Sequence, residues 1–240
     1  MTLQLERLLR TQGFGSRAEC RALVHAGRVC VNGEVCDDPY AECEPGGFQF
    51  TVDGVAWSYR KHAYLALHKP ANFECSHKPK FHPSVYTLLP RPLVTRGVQA
   101  IGRLDEDTTG LLLMSDDGQF IHQCTSPKKL VPKVYEATTK HAIDDSQISA
   151  LRQGVLLNDE PAPIAAAACE RISDHLLRLT VTEGKYHQVK RMVAAASNRV
   201  VALHRVAIGA FQLPATLKPG EWMWLETENL EGLTAKNPGL

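Results

Sequence analysis

The densest set of groups able to do chemistry lies in Gly102-Arg-Leu-Asp-Glu-Asp-Thr-Thr-Gly-Leu-Leu-Leu-Met-Ser-Asp-Asp-Gly118. A short strand, Val98-Gln-Ala-Ile101, runs into a glycine, then a lone arginine, then Asp105, Glu106 and Asp107 ahead of an apolar run and a turn. Acids in such a place can do no more than favour the positive end of a helix. That accounts for Glu106 or Asp107 and leaves Arg103 unexplained. An arginine and a carboxylate at the mouth of a sheet are the materials of a site for an anionic substrate. Residue types alone do not choose among the three acids. Lys128, Lys129 and Lys133 form a basic run around Pro127 and Pro132, ordinary as solvated surface and suited to phosphate if a cleft is near. Neither a Walker-type glycine loop nor a dinucleotide fingerprint is present, so no nucleotide or redox cofactor is expected.

The seven cysteines follow no regular framework, which reads as reduced thiols in an intracellular protein. Cys30, Cys36 and Cys43 are spaced more widely than the short pairs of zinc sites, and Cys75-Ser-His77 lacks a second pair of equal quality, so no metal is expected. The N-terminus carries Glu6, Arg7 and Arg10 among its leucines, unlike a signal peptide, and no apolar run approaches the roughly 20 residues of a membrane span. A soluble cytoplasmic chain with no membrane partner is expected.

The elements that position these residues follow from patterning. With 240 residues, 44% hydrophobic and 22% charged, the chain can bury one sizeable core or two unequal ones, which excludes disorder and disulfide-dependent mini-folds. Leu5, Leu8 and Leu9 fall at helical spacing, and Ser16-Arg-Ala-Glu19 is a capping box that opens a second helix ended by Gly27. Arg28-Val-Cys-Val31, Asn32-Gly33 and Glu34-Val-Cys36 form a hairpin. Arg17 and Arg21, four apart, share a helix face that reads either as solvated surface or as a phosphate contact. Further on, strands are expected over 64–67, 98–101, 134–138 and 172–181, and helices over 145–154 and 188–196. Residues 71–98, rich in Pro, His and Lys, read as a long loop. Trp222 and Trp224 read as core and edge packing.

Two resemblances give these patterns a family. Leu5-Glu-Arg-Leu-Leu9, Gly15-Ser-Arg-Ala-Glu19 and Gly27-Arg-Val-Cys-Val-Asn-Gly33 resemble the alpha-L RNA-binding module first described in a small-subunit ribosomal protein. Gly102-Arg-Leu-Asp105, Thr108, Gly110-Leu-Leu-Leu113 and Asp117-Gly118 resemble the motif of RNA pseudouridine synthases. His68-Lys-Pro70, Lys133-Val-Tyr-Glu136, Glu183-Gly-Lys-Tyr-His-Gln-Val-Lys-Arg-Met192, Leu203-His-Arg205 and Ile208-Gly209 follow in the family's order, and the resemblance is nearest to the RsuA type, which acts on small-subunit ribosomal RNA.

The resemblance implies an α+β chain. It has a small RNA-binding domain (1–59), a catalytic domain around a mixed or antiparallel sheet (60–232) and a C-terminal tail (233–240). It implies that Asp105 is the essential carboxylate, acting at C1′ as nucleophile or at C2′ as base. Arg103 would take the place of the flipped nucleotide, Tyr135 would stack on the uracil, and Lys190 would pair with Asp105. Lysine stands at 190 where much of the superfamily has arginine, which makes Arg191 the competing partner. Ser115 stands where relatives commonly carry threonine. His187 reads as a structural or RNA-contacting histidine. Arg17, Arg21, Lys69, Lys133 and Arg191 complete the expected RNA contacts. The expected partner is ribosomal RNA or a small-subunit assembly intermediate, bound by a monomer. The same chemistry on large-subunit RNA, or an idle RNA-binding assembly protein, are the alternatives.

The net charge of +1 hides a segregation: residues 61–103 carry +6 and 183–205 carry +4, against −5 over 31–60 and −5 over 104–120. A near-neutral sum excludes an overall polycation and leaves a local RNA face possible.

Overall fold

In the computed structural model, which describes residues 2–234, internal contacts divide the chain into two compact units. One holds the chain up to Ala63 together with Leu89–Gln99; the other holds Tyr64–Leu88 and the chain from Ala100 on. The expected tail lies outside the described residues from residue 235. No helix among the described residues is long and apolar enough to cross a membrane.

The first unit opens with helices Leu5–Thr11 and Arg17–His25, whose Leu5, Leu8, Leu9, Cys20 and Val24 are fully buried. The capping box is complete: the Ser16 hydroxyl accepts from the Glu19 amide and the Glu19 carboxylate accepts from the Ser16 amide at 2.7 Å. Strands Glu34–Val35, Val29–Val31, Gln49–Val52 and Val55–Ser58 form an antiparallel sheet in that order. Its second hairpin turns on Asp53-Gly54, both at positive φ like Asn32-Gly33 in the first. The same turn chemistry was in the sequence there, between Phe50-Thr-Val52 and Val55-Ala-Trp57.

The long loop expected over 71–98 has little regular structure. It contains a 3₁₀ turn, Val85–Leu88, and a helix, Arg91–Thr95, and the segment Leu89–Gln99 packs with the first unit instead of the second. Proline suits a first helical turn, where its missing N–H goes unused. Gly13 permits the packing, since a Cβ there would lie 1.9 Å from the Pro92 carbonyl oxygen. Arg96 then donates to Gln12 Oε1 at 3.2 Å and to the Arg60 carbonyl at 3.1 Å.

The second unit is built on one twisted sheet. Its strands run Ala168–Ser173, Leu176–Val181, Lys133–Thr139, Val200–Ile208, Thr109–Ser115, Tyr64–Lys69 and Trp222–Trp224 from edge to edge. Along this path Val200–Ile208 and Thr109–Ser115 pair in parallel, and the other neighbours pair antiparallel. The single strand expected over 172–181 is two, because Asp174-His175 reverses the chain into a hairpin. Helices Asp145–Gln153 and Gln188–Ala195 pack with Ala137, Leu177 and Leu179 in one apolar cluster; helix Gly118–Thr125 joins a second around Leu111, Leu113 and Ile208. Leu111, Leu112, Leu113 and Met114 are all fully buried, the unbroken apolar run of a strand covered on both faces.

The parallel contact depends on Gly110. It sits at φ +106, and a Cβ there would meet the Arg205 carbonyl oxygen at 2.3 Å and its nitrogen at 2.6 Å. Gly110→Ala is expected to cost about 3 kcal/mol or more and to lower Tm by roughly 6–12 °C in a chain of this size. Gly46→Ala, where nothing lies within 4 Å, is the control and should leave Tm unchanged. Equal melting curves for the two variants in a thermal scan would refute this account of the strand pairing.

Candidate active site

At the N-terminal end of strand Thr109–Ser115 the sheet opens into a cavity of about 690 Å³, lined by Arg103, Asp105, Lys133, Tyr135, His187 and Arg205 among others. Asp105 is the centre of its polar wall. Its Oδ2 lies 3.1 Å from Lys190 Nζ and its Oδ1 lies 3.1 Å from His187 Nε2, so both oxygens are held while the side chain stays 27% exposed. Lys190 also donates to Asp107 Oδ1 at 2.7 Å. Burial alone would lower the Lys190 pKa, but the hydrogen bonds and charges of Asp107 and Asp105 outweigh it and raise the value. Burial likewise acts to raise Asp107, and Lys190 outweighs it, so that carboxyl sits below its ordinary range.

Sequence determines this geometry locally. Helix Gln188–Ala195 starts directly after His187, whose backbone is left-handed at φ 48 and ψ 31, a conformation uncommon outside glycine and costly to hold. The turn brings the His187 ring to Asp105 and stacks it on Tyr186, centroids 3.8 Å apart and planes at 19°. Opposite, Tyr135 on strand Lys133–Thr139 faces Arg205 on strand Val200–Ile208 in register. Arg205 is 2% exposed; it donates through Nε to the Leu111 carbonyl at 2.8 Å and through Nη1 to the Tyr135 hydroxyl at 3.2 Å. Its Nη2 is buried with no partner among the described residues. Because arginine only donates, the Tyr135 oxygen accepts here and its own proton is left for another acceptor.

The structure therefore gathers Asp105, Tyr135, Arg103 and Lys133 around one cavity, with Lys190 bonded to Asp105 from outside the lining. Arg103 is exposed. Arg191 does not compete for Asp105: its guanidinium reaches Asp159 at 3.4 Å and the Tyr186 carbonyl at 3.3 Å. Lys69 is corrected as an RNA contact. It is fully buried, and its ammonium donates to the carbonyls of Pro70, Glu106 and Thr108 at 3.0, 3.1 and 2.8 Å, which removes it from any surface. Arg17 and Arg21 lie in the first unit and share a face as expected, both paired with the buried Glu6 carboxylate. Arg205 had no role assigned from sequence. The available signal was a charge at an inward position between Leu203 and Ala207 of a central strand. All seven cysteines are free thiols, and no cluster of metal-ligating side chains occurs among the described residues.

A sheet with an aspartate loop at this cavity and a small helical, hairpin-bearing unit ahead of it matches known proteins along the whole chain. The family model for RNA pseudouridylate synthase matches residues 63–195, and that for the S4 domain matches residues 5–47. The chain belongs to the RNA pseudouridine synthase family and is an RNA-modifying isomerase with an S4 domain. It is 38% identical over 231 residues to the uncharacterized RNA pseudouridine synthase YtzG of Bacillus subtilis, covering 95% of this chain and 97% of that protein. It is 38% identical over 234 residues to ribosomal small subunit pseudouridine synthase A of Yersinia pestis (97% and 99% covered). The Escherichia coli K12 protein of that name is 37% identical over 230 residues (95% and 98% covered). A crystal structure of a pseudouridylate synthase superposes with TM-score 0.69 at 32% identity, over 96% of this chain and 99% of that one.

Lys133 gives the cavity a titrating cation. Burial, then repulsion by Arg205, lowers its pKa to about 8, and its Nζ donates to the Val131 carbonyl at 2.8 Å. Above that pH the folded chain has released a proton that the unfolded chain keeps up to the ordinary lysine range. Stability therefore gains with rising pH across this window. The expected result is that wild type, relative to Lys133→Met, becomes more stable between pH 8 and 10 in denaturant titrations. A difference independent of pH would refute the depressed value.

Proposed function

We propose that the chain isomerises one uridine of small-subunit ribosomal RNA to pseudouridine in the cytoplasm, with Asp105 as the essential carboxylate. The observation that carries this reading is the seat of Asp105, partly exposed at the cavity and held at both oxygens by His187 and Lys190. The full-length likeness to small-subunit synthases and the sequence Tyr186-His-Gln-Val-Lys190 support the choice of RNA.

The reaction breaks the N1–C1′ bond, turns the detached uracil and joins C5 to C1′. N1 gains a proton and C5 loses one, so the product is an isomer. Asp105 attacks C1′ or removes a proton at C2′, and either route starts from an ionised carboxylate beside the ribose. Lys190 and His187 each hold one oxygen of that carboxylate and fix its orientation. Arg103, exposed at the cavity, fills the space the flipped nucleotide leaves and holds phosphates. Tyr135 lies against the uracil, its phenolic proton available because Arg205 occupies its oxygen as donor. The buried Nη2 of Arg205 takes an acceptor on the base. Lys133 supplies positive charge to the RNA backbone near the cavity.

Wild type and Asp105→Asn incubated with ribosomal RNA and partly assembled subunits, followed by chemical mapping of pseudouridine, test this reading. Wild type should modify one small-subunit site, and the variant should lose activity on the order of a thousandfold or more while still binding RNA. A site in large-subunit RNA would overturn the substrate, and binding without modification by wild type would overturn the chemistry.

The clamp on Asp105 makes a separate prediction. Lys190→Met should lower kcat on the order of a hundredfold with little change in KM, and Lys190→Arg should recover part of that loss. His187→Gln, which keeps a donor but not the ring, should lower kcat less than Lys190→Met. A rise in KM at constant kcat in single-turnover kinetics would instead make both side chains RNA contacts.

A further inference from the structure

The segment 74–84 is an ordered loop with an unusual tip. Glu74 anchors it from inside: its carboxylate accepts from the amides of Lys80 at 3.0 Å, Phe81 at 2.7 Å and His82 at 2.9 Å. Those three N–H groups hold the Glu74 carboxyl below its ordinary range and spend its charge within the loop. The Ser84 hydroxyl closes the neck by donating to the Ser76 carbonyl at 2.6 Å, and His77 stacks on the buried Tyr86 with centroids 3.7 Å apart. The tip so fixed presents Phe81 at 88% exposure, with Lys78 and Lys80 also exposed. Residues 75–88 contain no acid.

A phenylalanine held in water by a hydrogen-bonded loop buries little against this chain. Isolated exposed apolar residues need no explanation, but this one is flanked by cations and built on a scaffold. The roots of the segment are fixed to the loop that carries Asp105. The Asn72 amide donates to the Glu106 carbonyl at 2.7 Å, Lys69 donates to the Glu106 and Thr108 carbonyls, and the Leu104 amide donates to the Cys75 sulfur. An exposed aromatic face between cations is the arrangement that binds unpaired nucleotides, the ring stacking on a base and the cations holding phosphates.

We propose that the 75–84 loop is a second RNA-binding element, in which Phe81 stacks on an unpaired base near the target uridine while Lys78 and Lys80 hold the adjoining phosphates. The inference rests on the reading of the chain as an enzyme acting on ribosomal RNA. Charge complementarity and the connection to the Asp105 loop favour RNA over a protein partner, whose apolar pocket would have no use for the lysines.

The test uses the 240-residue chain and small-subunit ribosomal RNA, with affinity measured by fluorescence anisotropy and the chemical step by single-turnover kinetics. Phe81 touches too little of the fold for its replacement to unfold the protein. Phe81→Ala and Phe81→Leu should both weaken affinity about five- to a hundredfold, Phe81→Trp should retain it, and the rate from bound RNA should stay constant. Lys78→Ala with Lys80→Ala should reduce the salt slope of log affinity by about 1.4, two single-strand phosphates' worth. Unchanged affinity in Phe81→Ala would overturn the inference. So would full affinity in Phe81→Leu beside a loss in Phe81→Ala, since that pattern belongs to apolar docking and not to stacking. These outcomes are separate from failure of the proposed chemistry: a wild type that binds RNA and makes no pseudouridine would refute the role of Asp105 while the Phe81 variants still report on the loop.

Discussion

One buried ammonium organises the candidate active site. Lys69 ends an outer-neighbour strand of the central pair and is fully buried, its three protons directed at three backbone carbonyls. Taking a charge out of water costs several kcal/mol in a real protein interior, so this side chain is tolerable only where every proton finds an acceptor. Two of those acceptors, Glu106 and Thr108, bracket Asp107 in the loop that carries Asp105. Burial lowers the Lys69 pKa, and the nearby Cys75, Asp107, Glu106 and Asp105 act against that fall. A loop with three acids in consecutive positions would otherwise be expected to splay into solvent. Here it is tied from beneath by a cation that no ligand can reach.

The same loop is tied from above by groups of a different kind. Lys190 faces two carboxylates, Asp105 and Asp107, and its single charge cannot neutralise both. Asp107 takes the shorter contact, which leaves Asp105 with its 3.1 Å bonds to Lys190 and His187 and an open side toward the cavity. A lysine serves this arrangement because a compact ammonium can be shared between two oxygens of different residues, whereas an arginine fork is shaped for one carboxylate. A lysine shared between Asp105 and Asp107 thus suits this pair of carboxylates at the position noted as a departure from the superfamily's arginine.

Much of this was legible in the sequence, for reasons that particular residues make plain. The capping box at Ser16 and Glu19 and the Asn32-Gly33 turn are local chemistry, and local chemistry is written in adjacent residues. The approach of Asp105, Tyr135 and Lys190 was reached through a family's motif order, since nothing in their spacing of tens of residues dictates it. What escaped was tertiary in origin. Lys69 looked like a surface cation because its three acceptors are carbonyls, which leave no mark in sequence. The helix Arg91–Thr95 was hidden by its prolines, and its association with the first unit depends on the absence of a side chain at Gly13. His187 was underweighted because its contact requires a left-handed backbone that histidine only occasionally adopts.

The distribution of charge connects these parts. A chain with net charge +1 can hold a polyanion only if its acids are either segregated or already engaged. Several are engaged, Asp105 and Asp107 by Lys190, Glu160 by Lys185 at 2.6 Å and Glu74 by the amides of its own loop, while Glu106 is exposed. Each engagement removes a repulsive charge from the path of an incoming phosphate without adding to the total. The cations left exposed, Arg103 at the cavity and Lys78 and Lys80 on the 75–84 loop, then act where several neighbouring acids are already paired. The local field is therefore set by which carboxylates are paired, and the sum over the sequence carries no information about it.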